Sequence, residues 1–463
     1  MPSPDPFPSP IPLKKLIGPS FIILALGLGS GEVILWPYLS SNFGLGIAWG
    51  ALLGITFQFF MNMEIERYAL IKGESVFVGL AKKWRVAPYW FILSTFIGFG
   101  LPGIIAASAQ VIGSLFGIVV FKWIAIALLI VIGLMLSFGK TVYGMMEKTT
   151  QIIIFIAVPF LLILAIIISG SADWAALAHG LIGKGDGYRW LPEGIVFASF
   201  FAAFAYSGAG GNLNLTQSIY VKEKGYGMGK YAQKISGLFR NTGTPQEVQL
   251  EGESFDMTKE NIANFKAWWR RINMEHLCVF WFLGALSMLL LMLLSYVTTF
   301  GREGNAQGIH FVIQEGLTLG KTISPIIGTL FLVAVGVMLF QTQLGILDST
   351  SRIMAENAAL KVMAHKKTKR IALSKYYYIF LWSQIAFGIV LFLLDITEPR
   401  LLITTGAILN AVAMFVHVGL VNWMNHKVLP KELQAAWWRK AIIILIFIVF
   451  GLFSGYTVWD KLL

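Results

Sequence analysis

The sequence predicts an all-α polytopic membrane protein of about 11 transmembrane helices, arranged as two five-helix repeats and one extra helix. Three observations carry this: the balance of residue types, the length of the apolar runs, and a matched pair of glycine-rich interruptions in spans one and six. Of 463 residues, 56% are hydrophobic and 13% are charged, and mean hydropathy is +0.71. A soluble domain carries roughly 25% charged residues, so this chain has too little polar side chain to cover a water-soluble globule of its size. The apolar runs approach or exceed the ~20 residues that a helix needs to cross hydrocarbon. They are too long and too continuous for barrel strands, which alternate over about 10 residues.

Taken in order, the spans fall at 17–39, 46–71, 89–117, 121–138, 149–170, 194–222, 276–299, 323–350, 376–395, 400–424 and 440–459. Trp and Tyr mark several of their ends, as interface anchors do: Trp36 and Tyr38, Tyr89 and Trp90, Trp268 and Trp269, Tyr376 to Tyr378, Trp437 and Trp438. With the N-terminus cytoplasmic, 29 of the 36 Lys and Arg residues fall on inner segments. That asymmetry sets the orientation, and the odd span count puts the C-terminus outside. It also accounts for the net charge of +12 by contact with anionic lipid headgroups, with no need of nucleic acid. The expected membrane is the cell (inner) membrane.

Residues 1–16 read as a disordered cytoplasmic start, rich in Pro and Ser up to Pro12, without the charged region and cleavage site of a secretory signal. Residues 17–170 form the first repeat, 194–424 the second, and 440–463 the eleventh helix with the C-terminus. The sizeable polar stretch, 223–272, reads as a cytoplasmic loop ending in an interfacial helix; about 50 residues are too few for an independent domain. The run His365 to Arg370 reads as a solvated loop. Cys278 stands alone inside a span, which excludes a disulfide framework and a CxxC metal site.

The first span contains Ala25-Leu26-Gly27-Leu28-Gly29-Ser30-Gly31-Glu32. The sixth contains Tyr206-Ser207-Gly208-Ala209-Gly210-Gly211-Asn212-Leu213-Asn214. Glycine costs about 1 kcal/mol against alanine inside a helix, and unpaired backbone in lipid costs several kcal/mol per group. Such breaks persist where they line a protein cavity, and corresponding breaks in two halves point to a transporter built from inverted repeats. Residues 28–31 and 208–211 are expected to be non-helical and to face each other. Close packing of helices on small residues is the competing reading.

Several motifs resemble the Nramp family of divalent metal transporters. They are Leu16-Ile17-Gly18-Pro19-Ser20-Phe21, Gln58 and Arg67 leading into Lys72-Gly73-Glu74, Gln110-Val111-Ile112-Gly113, and Asn212-Leu213. The resemblance implies a LeuT-type inverted repeat. The departures fall on the site. Where the family has Asp-Pro-Gly-Asn in its first helix, this chain has Gly29, Ser30, Gly31 and Glu32. Where the family has Met-Pro-His in its sixth, it has Ala209, Gly210 and Gly211. The family's third-helix acidic pair, tied to proton movement, maps to Ala107 and Gln110. The ligands that select soft transition metals are therefore missing.

The substrate site is expected at Gly29, Ser30, Glu32, Ala209, Gly210, Gly211, Asn212 and Asn214, with Glu32, Asn212 and Asn214 as the metal ligands. Glu32 serves either as a cation or proton carrier or as a cap on the outer half-helix, and the two roles are compatible. Asn212 and Asn214 offer amide oxygens to hard cations or polar solutes, or else satisfy backbone freed by the break. Gln110, Gln341, Gln343, Asn410 and His417 are secondary candidates, with interhelical hydrogen bonding as their first expected role. Asp348 with Arg352 and Glu64 with Arg67 are spaced for salt bridges.

No HExxH, P-loop or Gly-x-Ser-x-Gly motif is present, so neither a catalytic centre nor a self-contained ATP-driven pump is expected. No cofactor is expected, and the sequence sets no oligomeric state. The leading reading is a secondary carrier of a cation, most readily a divalent one, through an oxygen-rich site suited to Mg, Ca or Mn. The alternative is a LeuT-type carrier of an amino acid or other small organic solute, and a cavity of ligand size between the breaks would favour it.

Overall fold

The computed structural model describes residues 6–12, 16, 18–138, 142–232, 247–303, 305 and 308–462. Among these, nine helices are long and apolar enough to cross a membrane: Pro19–Phe43, Leu45–Lys72, Ala87–Leu115, Met146–Ile168, Lys259–Thr299, Pro325–Lys366, Leu373–Leu393, Pro399–Val428 and Trp437–Thr457. The expected fourth span is the shorter apolar helix Lys122–Phe138. The expected sixth is built in pieces, Phe197–Ala205, Gly211–Leu215 and Thr216–Lys224.

Burial sorts the helices into a centre and a rim. The apolar window of the first span is 94% buried, against 33% for Met146–Ile168 and 28% for Trp437–Thr457. The rim helices instead turn Phe155, Ile156, Ile166 and Leu452 outward, as a lipid-facing surface requires.

The connections alternate between two faces. Residues 6–12, 73–86, 225–232, 247–258, 366–372 and 429–436 gather on one, with the Lys82–Glu251 ion pair, the Val248–Ile371 bridge and the bond from Arg67 to the Leu433 carbonyl. Lys82, Lys83, Arg85, Lys366, Lys369 and Arg370 lie there, so it is called the basic face below. On the opposite face Tyr188 bonds the Phe43 carbonyl, Trp49 bonds the Trp190 carbonyl, and Lys122 pairs with Asp395.

Four expectations change. The third span is interrupted: Ala87–Phe99 stops before Gly100 and Pro102, and Gly103–Leu115 starts anew, because proline has no N–H to continue the ladder. The eighth span runs on to Lys366, 42 residues in all, or about 63 Å. Its extension is held by buried charges described below; His365 and Lys366 are its last residues, the left-handed Lys367 at φ 54° ends it, and the rest of the basic run lies outside the helix as expected. The polar stretch feeds without a gap into the seventh span through the π-helical turn Leu277–Leu283.

Residues 6–12, expected to be disordered, are bonded to helix Lys259–His276. Trp268 donates to the Pro8 carbonyl at 2.9 Å, and Arg271 to those of Pro10 and Ile11 at 2.8 and 2.6 Å. Phe7 is 1% exposed against Phe255 and Phe265. The prolines that suggested disorder leave carbonyls without competing donors, and the helix supplies the N–H groups.

Candidate functional site

The first span begins as the helix Pro19–Leu28, loses helical form at residues 29 and 30, and resumes as the π-helical turn Gly31–Leu35 and the helix Trp36–Phe43. The break is shorter than the expected 28–31. In the sixth span it covers 206–210, starting two residues earlier than expected. The two breaks touch. A Cβ built on Gly31 would lie 1.7 Å from the Tyr206 carbonyl oxygen, and one on Gly27 would lie 2.7 Å from the Cα of Gly208. Main chain meets main chain, which no side chain larger than hydrogen permits.

Neighbouring helices satisfy the freed backbone. Thr342 Oγ1, in the eighth span, donates to the Ala25 carbonyl at 2.7 Å. Gln58, in the second, works from both ends: its amide donates to the Ala205 carbonyl at 3.0 Å, and its oxygen accepts from the Gly210 N–H at 3.1 Å. Trp36 donates across the breaks to Ser207 Oγ at 2.8 Å. These residues were not among the expected site residues. The available signal was a lone amide or hydroxyl at mid-span depth in helices two and eight.

Each expected site residue is buried or half-buried, and their side chains diverge. Glu32 is fully buried and accepts from Ser287 of the seventh span at 2.5 Å through Oε2, while Oε1 has no partner. Asn212 donates to Ser94 and Thr95 of the third span at 2.8 and 3.0 Å. Asn214 donates to Gln58 and to Asn62 of the second span at 3.1 and 2.7 Å. The three expected metal ligands are thus engaged by three different helices. Among the described residues no three His, Cys, Asp or Glu side chains come close enough to hold a metal. Gly29 abuts Thr342, and Ser30 and Ala209 are buried within the breaks.

Of the secondary candidates, Asn410 is brought to the site. It donates to the Gly98 carbonyl at 2.8 Å and the Tyr206 hydroxyl at 2.7 Å, and its oxygen faces Gly211. Gln343 joins Tyr206, Gly98 and Phe99 around a cavity of about 10 Å³ at the kink of the third span, the volume of about one water probe. Gln341 instead donates to Thr150 at 2.9 Å. Gln110 is half-buried with an unpartnered oxygen, and His417 is buried with both ring nitrogens unpartnered.

The oxygens of Glu32 (Oε1), Asn212, Asn214 and Asn410 are all buried acceptors without a donor. Such groups cost about 1–3 kcal/mol each when left unpaired.

On the basic face the sixth span is locked to the eighth. Arg352 bonds Asp348 at 2.9 Å and Glu223 at 2.5 Å, and Tyr220 and Tyr377 bond Asp348 at 3.0 and 2.8 Å. Lys222 pairs with Glu356 at 3.5 Å. Both expected salt bridges form, and Glu64–Arg67 at 2.8 Å also takes in Arg439 at 3.5 Å.

With that geometry in view, solved structures supply the comparison. A histidine-to-alanine mutant of the Eremococcus coleocola manganese transporter superimposes with a TM-score of 0.67 at 13% identity, covering 96% of this chain and 86% of that one. A glutamate-to-glutamine mutant of the same transporter gives 0.69 at 12% identity over the same shares. Its complex with an aromatic bis-isothiourea substituted compound gives 0.66 at 13%, over 95% and 85%. The chain has an Nramp-like, LeuT-type fold. No protein-family model matches the sequence, and no curated protein matches it. The likeness therefore lies in the backbone fold.

Proposed function

We propose that the protein is a secondary transporter that moves a divalent cation across the cell membrane by alternating access. The observation that carries this reading is the main-chain contact between the two breaks inside the fold of a manganese transporter. Glu32 supplies the anionic ligand, and the amide oxygens of Asn212, Asn214 and Asn410 the neutral ones. In the packed state Glu32 is turned to span seven, Asn214 to span two, and Asn212 and Asn410 to span three; hinging of the half-helices at the breaks gathers them around the ion. An all-oxygen donor set favours Mg, Ca or Mn over softer ions. The positive face of the chain, which carries the N-terminus, meets the cytoplasm.

Calorimetric titration of the purified protein with Mn, Mg and Cd tests this. Binding of Mn or Mg that exceeds binding of Cd, and that is lost in a folded Glu32→Gln variant, is the expected result. Stabilisation by amino acids with no response to any metal would transfer the assignment to an organic solute.

A further inference from the structure

A second group of buried polar side chains lies away from the breaks, towards the basic face. It joins the first turn of span one to spans two, six and seven. Ser20 Oγ donates to Glu275 Oε2 at 2.5 Å and lies 2.7 Å from His276 Nδ1. A hydroxyl has a single proton to give. With that proton on the carboxylate bond, His276 is the donor at Nδ1, and Nε2 is left as a lone pair. Nε2 has no partner, and the ring is stacked against Phe59 and Phe280 at 5.6 and 4.7 Å.

The main chain of Gly18 faces the carboxylate of Glu275. Its second oxygen, Oε1, has no partner. Glu66, in the second span, repels Glu275 electrostatically, accepts a long 3.4 Å bond from Gln217, and also has Oε1 unpartnered. Gln217 is fully buried with its own carbonyl oxygen unpartnered, and the hydroxyl of the buried Tyr226, which feels both carboxylates, has no partner either.

Lys224 and Glu147 are the other charged groups facing the cluster, and they bind each other at 2.6 Å. Neither Glu66 nor Glu275 has a salt bridge among the described residues. Every unsatisfied atom except the phenol is therefore an acceptor, and a proton on one carboxyl gives the cluster a donor. With the facing Lys224 already bound to Glu147, two like charges do not both persist readily in a buried site, and a shared proton is the smallest remedy.

We propose that Glu66 and Glu275 together hold one exchangeable proton, with Gln217 and Tyr226 lining the site and Ser20 and His276 reporting its occupancy to the inner half of the first span. This is a cation site separate from the breaks, and it does not depend on which cargo they carry. The bond from Ser20 to an ionised Glu275 is charge-assisted; on a protonated Glu275 it is an ordinary one, roughly half as strong. Occupancy thus changes how firmly the first half-helix is held against span seven.

Infrared difference spectra of the full-length protein in nanodiscs, recorded between acid and alkaline buffer without divalent metal, test the proposal. The expected result is a protonated-carboxyl band that disappears in both Glu66→Gln and Glu275→Gln and shifts in Ser20→Ala, which keeps both carboxylates. Release of one proton per chain to a pH dye, lost in either glutamine variant, is the matching result. An unchanged band in both glutamine variants, or a titration that moves when choline is replaced by sodium, would overturn the assignment, the latter in favour of a sodium site. Should a glutamine variant fail to fold, Ser20→Ala decides: a titration identical to wild type overturns the proposal, and a displaced one supports it.

Discussion

Replacing Gly31 by alanine isolates the contact between the two broken helices. The backbone at Gly31 is not left-handed, so alanine meets no conformational penalty of its own. Its methyl carbon would stand 1.7 Å from the Tyr206 carbonyl oxygen. Carbon and carbonyl oxygen approach to about 3.3 Å, so one main chain must move by roughly 1.6 Å. Overpacking costs about 1–3 kcal/mol, and here the obstacle is backbone, which places Gly31→Ala at the upper end. The opposing gain in helix propensity is about 1 kcal/mol.

With an unfolding entropy near 2.1 cal/mol/K per residue, each kcal/mol moves the midpoint of a chain this long by about 1 °C. A fall of about 1–3 °C in a thermal-shift measurement is expected, with a larger proportional loss of cation binding. Gly455→Ala is the control: a Cβ there meets nothing within 4 Å, so its midpoint should hold or rise. A Gly31→Ala midpoint at or above that of wild type would refute the claim that the breaks touch through their backbones.

Two further substitutions probe the supports. Gln58→Leu strands the Ala205 carbonyl and the Gly210 N–H, at about 1–3 kcal/mol for each buried group. Hydrogen exchange should quicken at 206–211 before it does elsewhere, and protection equal to wild type would show that Gln58 is dispensable. Arg352→Ala leaves Asp348 and Glu223 buried without a cation, a loss of about 3–5 kcal/mol. Arg352→Lys should recover part of it, since a lysine meets one carboxylate at a time, and full recovery in the midpoint would contradict the two-sided bonding seen here.

The fold was legible because its signals are local. Apolar runs, Trp and Tyr at their ends, and the glycines at 27–31 and 208–211 each report on a few consecutive residues, and the breaks fell within two residues of their expected places. What escaped depends on partners distant in sequence. Gln58 reads as a lone amide in an apolar helix until the break in span six supplies its partners 147 to 156 residues away. The order of residues 6–12 depends on donors more than 250 positions on. The direction of Glu32 towards Ser287 is a rotation about one helix axis, which spacing does not encode. Asn410 and Gln343 were read correctly as polar, but only the kink at Gly100–Pro102 makes them neighbours of the site.

The 42-residue helix Pro325–Lys366 carries Thr342, which holds the freed carbonyl of the first break, and Arg352, which anchors the ion network on the basic face. Ten residues separate them, about 15 Å along an unbroken axis. A hydrogen-bonded rod of that length transmits a push from end to end with little give. The carbonyl freed at the first break and the charges around Arg352 are therefore tied to one continuous rod, so neither can be displaced along its axis without straining the other's contacts.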